Sequence, residues 1–233
     1  MSCIVGDLSR PQLGIDQHTW QTLSQEVDVV IHNGATVPWI RRYQDIIASN
    51  VISIIDAMKL CNEGKLEGFT FVSCTCVLDT DYHVKLLEKQ ISTDENSISE
   101  DDDMQGSQTG LGTGYDQTNW VSEHLVCAAR KRGPQGSVVR LGYILGDSET
   151  GICYTNDFLT GIVNGFLQLS ARPRIINTVN AVRVNDVACV VVAAALSSLP
   201  GGVYVVHVTG HPRLRMNEYL SLLEFYGYKN SRG

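Results

Sequence analysis

Short apolar runs with strand-like composition alternate along this chain with longer stretches of helical spacing. Ile4-Val5 runs into Gly6-Asp7, Val27–His32 into Asn33-Gly34, and Phe69–Ser73 into Cys74-Thr75-Cys76. Ser137–Arg140 likewise runs to Gly142, and Val203–Val208 to Thr209-Gly210. Between them lie helix-like stretches over Thr19–Glu26, Tyr43–Asn62, Tyr115–Arg132, Thr155–Leu169, Val184–Ser198 and Met216–Tyr226. Strands apolar on both faces and separated by helices predict a parallel sheet covered on both sides, the doubly wound α/β class. Ligands in such sheets gather at the carboxyl ends of the strands, which is where these Gly, Asn, Ser, Cys and Thr residues fall.

The 233 residues are enough to bury a core, and 43% hydrophobic against 18% charged residues excludes a mostly disordered chain. A net charge of -7, from 18 Lys+Arg and 25 Asp+Glu, argues against a surface built to neutralise nucleic acid. The longest apolar stretch, Val187–Leu199, is short and Ala-rich, so no membrane span is expected. The Met1 end lacks a basic segment followed by an apolar one, and a cytoplasmic protein is expected. Seven cysteines, an odd number scattered along apolar stretches, read as reduced thiols. Cys74 and Cys76 could ligate a metal, but no second Cys/His pair accompanies them and no metal is expected. The Ser- and acid-rich segment Ser92–Asp103 reads as a solvated loop in preference to a cation site.

Three groups of residues could carry chemistry. Tyr115 and Asn119 stand one helical turn apart at a helix start and share a face. Tyr-x-x-x-Lys at this spacing serves hydride transfer, because the cation stabilises phenolate and makes the tyrosine a usable acid near neutral pH. An amide at position 119 lacks that charge, and a packed tyrosine is the plainer reading of this fragment alone. Val72-Ser73-Cys74-Thr75 is an apolar strand turning polar, where a hydroxyl could donate to a substrate oxygen; Cys74 offers only a weak S–H donor. Gly6-Asp7-Leu8 and His32-Asn33-Gly34-Ala35 could border an adenosine, although ordinary turn chemistry accounts for both almost as well.

Taken in order, Gly6-Asp7-Leu8-Ser9-Arg10-Pro11-Gln12-Leu13-Gly14, His32-Asn33-Gly34-Ala35, Phe71-Val72-Ser73, Thr113-Gly114-Tyr115, Gly142-Tyr143-Ile144-Leu145-Gly146 and Val205-Val206-His207-Val208 resemble the thioester reductase domains of extended short-chain dehydrogenase/reductases. Within that family the likeness is to the reductase domains of fungal 2-aminoadipate reductases, from Val5 to Tyr228. The resemblance implies a Rossmann-like sheet and NADPH-dependent reduction of an acyl thioester, 2-aminoadipyl in type, to the aldehyde. The acyl group would ride on a carrier-protein phosphopantetheine. Carried over residue by residue, Tyr115 would be the proton donor, Cys74 would stand where the family has Ser or Thr, and Asn119 where it has Lys. Asp7, Leu8, Asn33, Gly34, Ala35 and Ser73 would border the cofactor with Tyr115. Leu141, in place of a usual Pro, and Gly142 would lie near the nicotinamide, and Asp157-Phe158 would face the substrate.

That family opens with a strand, a Gly-rich turn and a helix that cradle the pyrophosphate. The expected fold therefore lacks the first β-α-β unit, and residues 1–233 form a single domain incomplete at both ends. Gly110-Leu111-Gly112-Thr113-Gly114 lacks the G-x-G-x-x-G spacing and reads as the lead-in to Tyr115. With Cys74, Asn119 and Leu141 also altered, a weak or inactive reductase is expected. The alternative is a non-catalytic binding protein that keeps the carrier-protein surface or pairs with a full-length reductase. Ser2–Val5 should form a strand beside Val27–His32 or else be poorly held, and self-association is expected.

Overall fold

The computed structural model describes residues 2–38, 40–64, 68–90, 97–130, 136–172, 177–197, 204–210, 214–228 and 231–232. They open with helix α1 (Gln17–Glu26), strand β1 (Val29–His32) and helix α2 (Tyr43–Ile47), which continues through a π-turn at Ala48–Ile52 into α3 (Ser53–Asn62). Strand β2 (Gly68–Cys74) ends in a 3₁₀ turn at Thr75–Leu78, and α4 (Asp81–Gln90), α5 (Gly114–Arg130), β3 (Gly136–Leu141) and β4 (Tyr143–Leu145) follow. Helix α6 (Phe158–Leu169) precedes the short strands β5 (Ala171–Arg172), β6 (Thr178–Val179) and β7 (Ala181–Arg183). The chain continues through α7 (Val184–Leu196), β8 (Tyr204–Val208), β9 (Leu214–Arg215), α8 (Met216–Phe225) and β10 (Ser231–Arg232). The expected limits at Arg132, Ser198 and Val203 lie outside the described residues, as does the 92–96 part of the acidic segment.

Two compact units emerge, one from residues 1–140 with 190–207 and one from residues 141–189 with 208–233. The first holds the main sheet, in the order β1-β2-β3-β8, with β1 parallel to β2 in a register from Val29 opposite Gly68 to His32 opposite Phe71. Alternation along β2 sorts its side chains. Phe69 and Phe71 pack with Val138 of β3, Ile54 and Ala57 of α3 and Val126 of α5 in one apolar cluster. Thr70, between the phenylalanines, bonds instead to Ser137 Oγ at 2.8 Å, and Ser137 reaches the Ala194 carbonyl of α7 at 3.4 Å. Helices therefore cover both faces of the sheet, as the continuously apolar strands require. In the second unit β4 runs parallel to β7, β5 parallel to β10, and β6 antiparallel to β9.

Local sequence sets the helix starts. Asp16 and Asp157 cap α1 and α6, their carboxylates accepting the Thr19 and Thr160 N–H groups at 3.0 and 2.8 Å. These caps move the expected starts from Thr19 back to Gln17 and from Thr155 forward to Phe158. Asp157 is thus a cap, and its neighbour Phe158 stacks on Tyr143 with ring centroids 6.0 Å apart.

Of the two outcomes expected for Ser2–Val5 the second holds: the segment forms no strand beside β1 and is poorly held, with Ile4 48% and Val5 93% exposed. After it the chain folds back on itself, Asp7 N–H donating to the Leu13 carbonyl at 2.7 Å, with Gln12 and Leu13 at positive φ (53° and 58°). Such backbone is costly for side-chain-bearing residues, and the buried Asp56 of α3 holds it by accepting the Gln12 N–H at 2.9 Å. Over its described residues 97–103 the acidic segment is, as expected, an irregular and mostly exposed loop, tied down at two points. Glu100 accepts the His207 N–H at 2.5 Å, and Asp102 faces the buried His83 at 3.4 Å while capping Met104 N–H at 2.7 Å. No helix among the described residues is long and apolar enough to cross a membrane.

Candidate active site

The site grows from the start of α5. Thr113 and Asp116 form a reciprocal capping box, the Thr113 hydroxyl accepting from Asp116 N–H and the Asp116 carboxylate from Thr113 N–H, each at 3.1 Å. Gly114 lies against the backbone that leads into α2, where an added Cβ would meet Tyr43 N at 2.5 Å and Arg41 O at 2.6 Å. The buried Asn50, inside the π-turn, takes the Thr36 N–H at 2.8 Å and donates to the Thr36 carbonyl at 2.9 Å and the Thr118 hydroxyl at 3.2 Å. The loop after β1 is thereby tied to the first turn of α5. Tyr115 lies in that first turn.

Burial pushes the Tyr115 phenol above its ordinary range, and Cys74, Cys76 and Asp116 push it the same way, while a hydrogen bond from Asn119 opposes them. None of these groups is a cation. The Asn119 amide also donates to the Tyr115 carbonyl at 3.0 Å. Cys74 closes β2 and its sulfur accepts the Cys76 N–H at 3.2 Å. Both thiols share one locality, although the 3₁₀ turn, not strand alternation, brings them together. The Cys76 thiol interacts with Cys74 and Asp116, which hold its proton on and its pKa well above the ordinary value. Among the described residues no three His, Cys, Asp or Glu side chains gather as metal ligands.

Ser73 turns away from this locality. Its hydroxyl donates to Glu123 at 2.5 Å, and Glu123 pairs with Arg140 at 2.8 Å, both charged residues being buried. Arg140 also bonds to His207 Nε2 at 2.8 Å and to the Met104 sulfur at 3.0 Å. Any part Ser73 takes at a ligand therefore passes through its backbone. Sequence reasoning missed Glu123 and Arg140. Position 123 continues the 115–119 helical face, and a lone arginine within an apolar strand signals a buried partner.

Of the residues expected at the adenosine, the structure brings Leu8 onto Gly34, where an added Cβ would meet the Leu8 side chain at 2.8 Å. Asn33, Gly34 and Ala35 are exposed at the carboxyl end of β1. The Asp7 carboxylate is committed to its own turn, to the Ser9 hydroxyl at 2.6 Å and to Arg10 at 3.3 Å. Leu141 and Gly142 belong to the second unit. There the Gly142 α-carbon meets the Asn180 backbone, its missing Cβ leaving 2.3 Å to Asn180 O, so close approach of the chain explains this glycine. The open strand-end loop, the glycine under Leu8 and the tyrosine at a helix start fit a nicotinamide dinucleotide.

A parallel sheet with helices on both faces, a strand-end loop of small residues and Tyr115 at the start of α5 define a Rossmann-like protein of the short-chain dehydrogenase/reductase type. The chain belongs to the NAD-binding family described as "Male sterility protein", whose pattern matches residues 1–195. It is 50% identical over 228 residues to the L-2-aminoadipate reductase large subunit of Penicillium chrysogenum and 46% identical over 228 residues to L-2-aminoadipate reductase of Schizosaccharomyces pombe. Those alignments take in 98% of this chain but 16% of each relative. Among solved structures, the terminal R domain of the myxalamid PKS-NRPS pathway superposes with a TM-score of 0.85 at 26% identity, over 99% of this chain and 56% of that one. The reductase domain of a nonribosomal peptide synthetase from Mycobacterium tuberculosis shares the fold, with a TM-score of 0.76 at 23% identity over the same shares. The likeness to thioester reductases is borne out.

Proposed function

We propose that this chain carries the site of an NADPH-dependent thioester reductase whose proton donor is mistuned, so that hydride transfer is slow or absent. The substrate is an acyl group held as a phosphopantetheine thioester on a carrier protein in the cytoplasm, 2-aminoadipyl in type as the fungal relatives' names suggest. Leu8, Asn33, Gly34 and Ala35 would hold the adenosine half of the cofactor. A bound NADPH would supply the hydride. Tyr115 would then give its hydroxyl proton to the oxygen that gains charge. The same reading includes self-association through β1, which pairs only with β2 among the described residues and exposes Ile31.

One observation carries the mistuning: the surroundings of the Tyr115 hydroxyl are apolar, thiol or anionic, with an amide where the family keeps its cation. Giving up the proton leaves a phenolate beside Asp116, with the Asn119 hydrogen bond but no cation among these groups to stabilise it. The double substitution Cys74→Ser with Asn119→Lys tests this. NADPH oxidation with an acyl-pantetheine thioester should rise by about 100-fold or more over the unmodified chain, the scale of one restored oxyanion donor. A double variant that binds NADPH but turns over no faster sinks the mistuning. If neither protein binds NADPH while both bind an acyl-carrier protein, the non-catalytic alternative replaces the reductase reading.

A further inference from the structure

We propose that Cys74 is a nucleophile that takes the acyl group from a thioester onto its own sulfur, giving an S-acyl protein where a Ser or Thr hydroxyl would only donate a hydrogen bond. The inference rests on the thioester reading of the site. Cys74 is partly exposed at the carboxyl end of β2, near enough for a charge on it to act on the Tyr115 phenol. Its sulfur already receives one donor, the Cys76 N–H at 3.2 Å. The Cys76 thiol faces it as a second.

The two thiols are not equivalent. Cys76 sits against the Asp116 carboxylate, which opposes a second negative charge, so it keeps its proton. Cys74 gives its proton up first, because the Cys76 thiol and N–H stabilise the thiolate; that effect outweighs burial and the more distant charges of Asp116 and Glu123. Arg140 neutralises Glu123 across a 2.8 Å contact. Tyr115 stays an uncharged phenol in this setting. A sulfur that accepts an N–H donor and holds its proton less tightly than usual, a neutral donor nearby and partial access are the conditions that favour a thiol nucleophile.

The step balances without an oxidant. The Cys74 sulfur adds to the thioester carbonyl carbon, the Tyr115 hydroxyl donates to the oxygen that gains charge, and the carbon–sulfur bond to the pantetheine thiol breaks. The proton surrendered by Cys74 ends on that departing thiol. One thioester replaces another, and no electrons change hands.

The full chain should be incubated with S-butyryl-N-acetylcysteamine, quenched in acid and mapped by peptide mass spectrometry. The butyryl adduct is expected on Cys74 about tenfold or more above the exposed Cys3, Cys153 and Cys189, and absent from Cys74→Ser. In parallel, iodoacetamide labelling of Cys74 should reach half its maximal rate at a lower pH than labelling of those exposed cysteines. Cys76→Ala should move that midpoint up, and Cys76→Ser should restore it, because a hydroxyl keeps the donor. A Cys74 midpoint no lower than theirs overturns the nucleophile itself and leaves the NADPH test standing. Early labelling without a butyryl adduct overturns acyl acceptance through its thioester premise.

Discussion

Glu123 and Arg140 form an ion pair with relative exposures of 0% and 1%, joined to β2 through Ser73, the residue before Cys74. A buried pair is worth little against an apolar replacement, but removing one partner strands the other charge. Glu123→Gln should therefore cost about 3–5 kcal/mol in urea unfolding, the range for a broken buried pair. Glu123→Leu combined with Arg140→Met should cost much less. Equal losses in the single and double variants would show that Ser73, His207 and Met104, not the charge, dominate the network. The same physics acts in reverse at position 119. Asn119→Lys places a cation beside a phenol that burial and anionic neighbours hold high, and so should move the Tyr115 ionisation to lower pH. Ultraviolet difference titration against Tyr115→Phe checks this without cofactor or substrate; an unmoved curve would mean that the lysine points away.

The start of α5 depends on one glycine and one cap. Gly114→Ala would drive a Cβ into the Arg41–Tyr43 backbone, which cannot step aside as a side-chain tip can, and should cost about 1–3 kcal/mol as overpacking does. Thr113→Ala, which removes only the cap, should cost about 1 kcal/mol. Paired melting curves give both; a harmless Gly114→Ala would show that the two segments separate freely. How far such features could be read from the sequence follows from their range. The strands and helices were legible because period and turn chemistry are local, and Tyr115, Cys74 and Asn119 were legible through their spacing in a family pattern. The Asn50 tie between the β1 loop and α5 joins residues 68 apart in sequence, and no spacing rule reports it. The 3₁₀ turn that swings Cys76 back beside Cys74 was hidden by an apolar run that reads as continued strand. The strand-like composition of Ser2–Val5 misleads for a related reason: a strand also needs a neighbour, and none of the described strands pairs with this segment.

Acid sensitivity of the whole chain follows from histidines whose charged form the fold disfavours. His32 ends β1 with 6% exposure, its Nε2 within 3.2 Å of the Ser53 hydroxyl and its Nδ1 without a partner. His207 receives a guanidinium N–H from Arg140 on Nε2, which fixes it as the neutral tautomer. Burial lowers the pKa of each below the ordinary 6.5, and at His207 the Arg140 charge adds to the effect. With a depressed folded pKa the unfolded chain binds the proton first. Stability is thus constant above the unfolded value and falls as pH drops below it. Carboxylates held low by their turns, Asp7, Asp16, Asp45 and Asp147, act in the same direction but only below their ordinary 3.8, so the two windows separate. The melting temperature should accordingly hold steady near neutrality and decline between about pH 6.5 and 5, before those four carboxylates titrate. His32→Gln, which keeps a polar group but cannot charge, should flatten part of that decline. A melting temperature unchanged down to about pH 5, or a decline that His32→Gln leaves intact together with an equal one in His207→Gln, would show that neither imidazole is kept neutral by the fold.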